Sequence, residues 1–160
     1  MSLSLNVLII EDESPAVEKL QRYLQRYSPD IRVIHTCDSV TQSVEWLRDH
    51  LDEVDLLFMD IQLKDGVSFG IFKEITVTKP VIFITAYNEF ALEAFKVNSI
   101  AYLLKPVTFD DLKESLDKFQ NLRSQFLVQE GRAEQLKALA GEASPKVFKN
   151  RFMVKVGDHI

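Results

Sequence analysis

Five short apolar runs, each followed by a segment of helical period, limit more than anything else what this chain can fold into. They are Leu5-Asn6-Val7-Leu8-Ile9-Ile10, Ile31-Arg32-Val33-Ile34-His35-Thr36, Leu56-Leu57-Phe58-Met59, Val81-Ile82-Phe83-Ile84-Thr85 and Ala101-Tyr102-Leu103-Leu104. Runs this short and this apolar read as strands buried on both faces. The segments between them read as helices. Val17, Leu20, Leu24 and Tyr27 give the first its inner face, opposite Glu18, Lys19, Arg22 and Arg26. Val40, Val44, Leu47 and Leu51 mark a second, and Phe69, Phe72 and Ile75 a shorter third within residues 67–77. Asn88 caps a fourth carrying Leu92 and Phe95, and Thr108 caps a fifth with Asp110 and Asp111 in its first turn. Ser14 reads as the N-cap of the first helix, with Pro15 at its first helical position. Strand–helix alternation of this kind predicts an α/β fold with a right-handed, doubly wound parallel sheet.

The chemistry is expected where the strands stop. The first run ends in Glu11-Asp12-Glu13, the third in Asp60, the fourth in Thr85 and the fifth in Lys105. In a parallel sheet these ends share one edge. In the flavodoxin-like (βα)5 order 2-1-3-4-5, strands 1 and 3 are neighbours at the switch point, where ligands bind. Asp12 and Asp60 then flank one crevice with Glu11 beside them. Clustered carboxylates repel unless a cation joins them, and an all-oxygen set suits Mg²⁺. Thr85 and Lys105 supply a hydroxyl and an ammonium to hold the oxygens of a phosphoryl group placed on Asp60. A carboxylate nucleophile attacking phosphorus needs this set of groups.

Composition excludes other classes. At 160 residues the chain can bury one core plus an appendage, and a net charge of −5 argues against nucleic-acid binding by its bulk. The single Cys37 forbids an internal disulfide, and His35, His50 and His159 lack metal-ligand spacing. No run is long enough to span a bilayer and no signal peptide opens the chain, so a cytoplasmic protein is expected. Beyond Thr108 the helical pattern is extended: Leu112, Phe119, Phe126, Ala133 and Ala140 recur every seven residues, although Ser115 and Gln129 fall on the seam and Gly131 interrupts it. That pattern suits a dimerising helix or one packed on its own domain. Gly141 and Ser144-Pro145 read as a linker. After it the chain turns basic, with Phe148, Phe152, Val154 and Val156 as the first strand of a second domain.

The ordered set Glu11-Asp12, Asp60, Asp65-Gly66, Thr85-Ala86 and Lys105-Pro106 resembles the receiver domain of two-component response regulators over about residues 5–125. The resemblance implies that Asp60 accepts a phosphoryl group from a sensor histidine kinase. It implies Mg²⁺ held by Glu11, Asp12, Asp60 and the backbone carbonyl of Gln62, and a cis Lys105–Pro106 bond. Thr85 and Tyr102 match the family's switch pair, whose movement appears on the face of the fourth helix, fifth strand and fifth helix, where receivers commonly form homodimers. Glu11 stands where many members have Asp, and Lys64 where proline is frequent, which implies a looser loop. Residues 85–95 with Tyr102–Val107 are similar to receivers of the LytTR class, whose output domain binds DNA. On that resemblance, residues 1–125 are the receiver, 126–145 a helix extension and linker, and 146–160 the truncated start of a DNA-binding domain.

Rival readings fit less well. A haloacid-dehalogenase-like phosphatase needs a second Asp two residues after the nucleophile, where this chain has Gln62. A flavodoxin-like electron carrier needs a hydroxyl- and glycine-rich phosphate loop after strand 1, where acids stand instead. A stand-alone phosphorelay receiver is the remaining alternative, with the basic strand after the linker counting against it.

Overall fold

The computed structural model describes residues 4–87, 94 and 99–140, with residues 126–140 described by their backbone alone. Residues 1–115 form one compact unit, and Leu116–Ile160 a second. The first unit is built on five parallel strands in the order β2-β1-β3-β6-β7: β1 (Leu5–Ile10), β2 (Ile31–Cys37), β3 (Leu56–Met59), β6 (Val81–Thr85) and β7 (Ser99–Leu104). Counting these sheet strands alone, that is the anticipated 2-1-3-4-5 order. The small β4 (Gln62–Leu63) and β5 (Gly66–Val67) pair antiparallel beside it.

Burial follows from the sequence pattern. Every residue of β3 and β6 is buried, as expected of strands covered on both faces. Leu8, Ile10, Leu57, Met59, Val81 and Phe83 share a core with Val44 and Leu47 of α2 (Val40–His50) and Ile71 of α3 (Phe69–Glu74). Phe83 is fully buried, with Phe69 and Phe72 edge-on to it at centroid distances of 5.4 and 6.4 Å. On α1 (Ser14–Tyr27) the buried residues are Leu20 and Leu24, two of the four expected on its inner face, while Val17 and Tyr27 are half-buried.

Several local expectations are corrected. Ser14 is the first helical residue rather than the cap. Glu13 holds the N-cap position in an extended conformation, and its carbonyl accepts from the N–H groups of Ala16 and Val17, both at 3.1 Å. The third helix covers Phe69–Glu74 rather than 67–77: Val67 belongs to the β4–β5 hairpin, and the chain turns extended at Ile75, whose N–H donates to the Ile71 carbonyl at 3.0 Å. Gly66 takes φ +146° there, a backbone region that side chains disfavour. The last strand begins at Ser99 rather than Ala101.

The last helix, α4 (Phe109–Ala140), is continuous, so Gly131 does not break it. Thr108 caps it as expected, its Oγ1 accepting from the Asp111 N–H at 3.1 Å. The fourth helix expected near Asn88, Leu92 and Phe95, the linker and the basic final strand lie outside the described residues. The same holds for the side chains of Phe126, Ala133 and Ala140. Among the described residues no helix is long and apolar enough to cross a membrane.

Candidate functional site

Glu11, Asp60 and Lys105 each directly follow a strand, and each is held by its backbone to the neighbouring one. The Glu11 N–H donates to the Cys37 carbonyl at 2.9 Å, the Asp60 N–H to the Ile10 carbonyl at 2.9 Å, and the Lys105 N–H to the Thr85 carbonyl at 2.8 Å. The sheet ladder thus runs one residue beyond the strands and aims three charged side chains into one crevice. The Lys105–Pro106 bond is cis, as the resemblance implied.

Lys105 is the hub. Its Nζ lies 2.8 Å from Glu11 Oε1, 2.9 Å from Asp60 Oδ2 and 2.9 Å from Glu13 Oε1. Burial alone would lower its ammonium, but the hydrogen bonds to Glu11, Glu13 and Asp60 outweigh that and hold it above the ordinary lysine value. One ammonium cannot satisfy all the acids. Glu11, 7% exposed, is pushed from 4.5 up to about 7 by burial, with the Asp60 carboxylate adding to the rise and Lys105 opposing it. Beside this crevice a cavity of about 330 Å³, walled largely by Leu20, Tyr23, Phe58, Ile84 and Val107, reaches Glu11, Asp60 and Lys105.

Glu11, Asp12 and Asp60 each offer a carboxylate oxygen within 4.8 Å of the others, a group that could hold a metal ion. The donor set fits Mg²⁺: all oxygen, anionic, and, among the described residues, under-neutralised by Lys105. Gln62 is placed next to it, its N–H reaching Asp60 Oδ1 at 3.3 Å. Thr85 ends β6 fully buried, and its Oγ1 accepts from the Tyr87 N–H at 3.3 Å. The Tyr102 hydroxyl donates to the Tyr87 carbonyl. Thr85 and Tyr102 are therefore bonded to the two ends of one intervening residue.

Other contacts were not anticipated. Glu13 was noted only as part of an acidic run, and its bond to Lys105 spans 92 positions. The loop expected to be looser at Lys64 is tied down. Lys64 Nζ meets Asp38 Oδ2 at 2.9 Å, and Asp65 accepts from the Val40 N–H at 2.7 Å, the Thr41 N–H at 3.1 Å and Thr41 Oγ1 at 3.1 Å. Chiefly because of the Val40 N–H, the Asp65 carboxyl lies below its ordinary value. His35 and His50, which lack metal-ligand spacing, sandwich Trp46 in parallel stacks at 4.7 and 4.4 Å. Cys37 is buried, its thiol pushed up to about 11 by that burial, so it stays protonated.

Fold and site together define a doubly wound α/β domain whose switch-point crevice gathers carboxylates around Lys105. The family model for the response regulator receiver domain matches residues 7–117, and the chain belongs to that family. It is 36% identical over 117 residues to the sensory transduction protein LytT of Enterococcus faecalis, a match covering 71% of this chain and 47% of that protein. To the positive alginate biosynthesis regulatory protein of Pseudomonas aeruginosa it is 38% identical over 117 residues, covering 71% of this chain and 46% of that one. The chain thus spans about half the length of the curated relatives it matches. The response regulatory domain of protein mrkE from Klebsiella pneumoniae superposes with a TM-score of 0.65 at 27% identity, over 76% of this chain and 99% of that one.

Proposed function

We propose that Asp60 is the phosphoacceptor of a two-component signalling protein. The observation that carries this is the placement of Lys105 Nζ 2.9 Å from Asp60 Oδ2, with the Glu11 and Asp12 carboxylates clustered about the same aspartate. An Asp60 carboxylate oxygen attacks the phosphorus of a phosphohistidine on a sensor histidine kinase. The P–O bond forms as the P–N bond breaks, and the imidazole, protonated on its other nitrogen, leaves neutral. Mg²⁺, held by Glu11, Asp12, Asp60 and the Gln62 backbone carbonyl, would supply the positive charge that lets a phosphoryl group approach these acids. Lys105 exchanges a carboxylate partner for a phosphoryl oxygen, and Thr85 turns its hydroxyl to another.

Thr85 can turn only by giving up the Tyr87 N–H, and Tyr87 carries the carbonyl that holds Tyr102. That pair is the switch. Its output is a changed face at the fourth helix, β7 and the last helix, through which the chain forms a homodimer. In this reading residues 1–125 are the receiver, 126–145 a helix extension and linker, and 146–160 the start of a DNA-binding domain of LytTR type. The protein works in the cytoplasm as a transcription regulator, and it is a signalling acceptor rather than a turnover enzyme.

The test is intact mass after incubation with Mg²⁺ and acetyl phosphate. One added phosphoryl group is expected in the parent, and none in Asp60→Asn or with excess chelator. An equal gain in Asp60→Asn would remove Asp60 from the role.

A further inference from the structure

Among the described residues, Glu13 is the one member of the Lys105 cluster that the proposed chemistry does not use. Lys105 Nζ is 2.9 Å from Glu13 Oε1, yet the Glu13 side chain is 65% exposed, whereas Glu11 and Asp60 are 6% and 7% exposed. The buried pair is fixed in place, and the Glu13 carboxylate can swing out to water. Its side chain has no part in capping α1, because the cap there is made by the Glu13 backbone carbonyl. The Glu13 N–H is spent on Glu11 Oε2 at 3.2 Å, which holds the residue's backbone beside the crevice. Only its charge is left to account for.

We infer that Glu13 is a specificity-setting positioning residue: a releasable latch on Lys105 that slows phosphorylation by highly charged small donors. The inference rests on Asp60 being the acceptor. An incoming phosphoryl group must take Lys105 from a carboxylate, and Glu13 is the partner that can leave. Until it does, its negative charge faces the donor at the mouth of the site. The opposition scales with donor charge, and added salt screens it because the residue is exposed.

Two donors separate this from a structural role. Acetyl phosphate arrives as a dianion: the Asp60 oxygen attacks phosphorus, the bond from phosphorus to the acetate oxygen breaks, and acetate leaves. Phosphoramidate arrives as a zwitterion of net charge −1: the same attack breaks the P–N bond, and ammonia leaves neutral. Removing the Glu13 charge should therefore favour the dianion more.

The experiment follows phosphorylation of the full chain in Mg²⁺ by intact mass against time, for the parent, Glu13→Gln and Glu13→Asp, at low and high salt. Glu13→Gln should speed acetyl phosphate about three- to tenfold at low salt, a range set by removing one charge close to a dianion in a largely aqueous dielectric. It should speed phosphoramidate less, lose most of its advantage at high salt, and leave Glu13→Asp near the parent. Equal rates in the parent and Glu13→Gln, a slower Glu13→Gln, or the same acceleration with both donors would each overturn the latch. Failure of the parent itself to gain mass would instead overturn Asp60 as acceptor.

Discussion

Replacing Glu11 by Gln should make the metal-free protein more stable above neutral pH, although the change removes a contact of 2.8 Å to Lys105. Burial and the Asp60 carboxylate hold the Glu11 carboxyl at about 7 against an ordinary 4.5. A group whose folded value is raised contributes stability that is complete below its unfolded value and lost as pH climbs through the folded one. The window here is therefore roughly pH 4.5 to 7, across which the native state sheds a proton that the unfolded chain has already lost. At about 1.4 kcal/mol per pH unit, the ceiling on the loss is roughly 3 kcal/mol. Gln approximates the protonated carboxyl in shape and charge, so it escapes the loss. Urea unfolding in chelator should show Glu11→Gln within about 0.5 kcal/mol of the parent at pH 5 and about 1–3 kcal/mol above it at pH 8. Added Mg²⁺ should reverse the ranking, since a ligand that binds only the native state stabilises in proportion to its affinity, and the variant has lost a carboxylate for it. A Glu11→Gln protein less stable than the parent at pH 8 in chelator would refute this reasoning. The Lys105 pair would then outweigh desolvation of the acid.

Two further outcomes concern the frame that carries the crevice. Asp65→Ala should cost about 1 kcal/mol as the Val40 and Thr41 N–H groups lose their acceptor, and Asp65→Asn less, since an Asn side-chain oxygen can still accept from them. Because the Asp65 carboxyl is depressed, its contribution is present above the unfolded value near 3.8 and lost as pH falls through the folded one. Asp65→Ala should accordingly flatten the acid limb of a thermal-stability profile. Phe83→Ala should cost about 3–5 kcal/mol by urea titration, because it empties a fully buried site bordered by Phe69 and Phe72.

What could be read in the sequence was what is written locally. Apolar runs that stop at Glu11, Asp60, Thr85 and Lys105 announce strands and their ends, and parallel topology alone then gathers those ends on one edge. The Thr108 cap was legible for the same reason, being a side chain that serves a backbone three residues away. The Lys105–Glu13 contact was not, because the acid run at 11–13 gives no sign of which member will face a lysine 92 positions later. Asp65 stands in the ordered set only beside Gly66, with no sign of a helix for it to serve. Its service to α2 crosses 25 positions and depends on how β3 sits beside β1. The Ser14 cap failed because the preceding Glu13 carbonyl already accepts two N–H groups there. The hairpin at 62–67 was not legible because each of its strands is only two residues long, too short for an alternating pattern to show. The stacking of Trp46 leaves no mark in the sequence, because its partners come from two different elements, His35 on β2 and His50 on α2.

The backbone bonds that anchor Glu11, Asp60 and Lys105 to Cys37, Ile10 and Thr85 carry a mechanical consequence. Each charged residue is bolted to a strand other than its own. The triangle they form is therefore stiff in the way the sheet is stiff, and any distortion of it must shear neighbouring strands. The connecting segments carry none of these three bonds. Chains with this frame can exchange, lengthen or shorten those segments while the triangle keeps its dimensions.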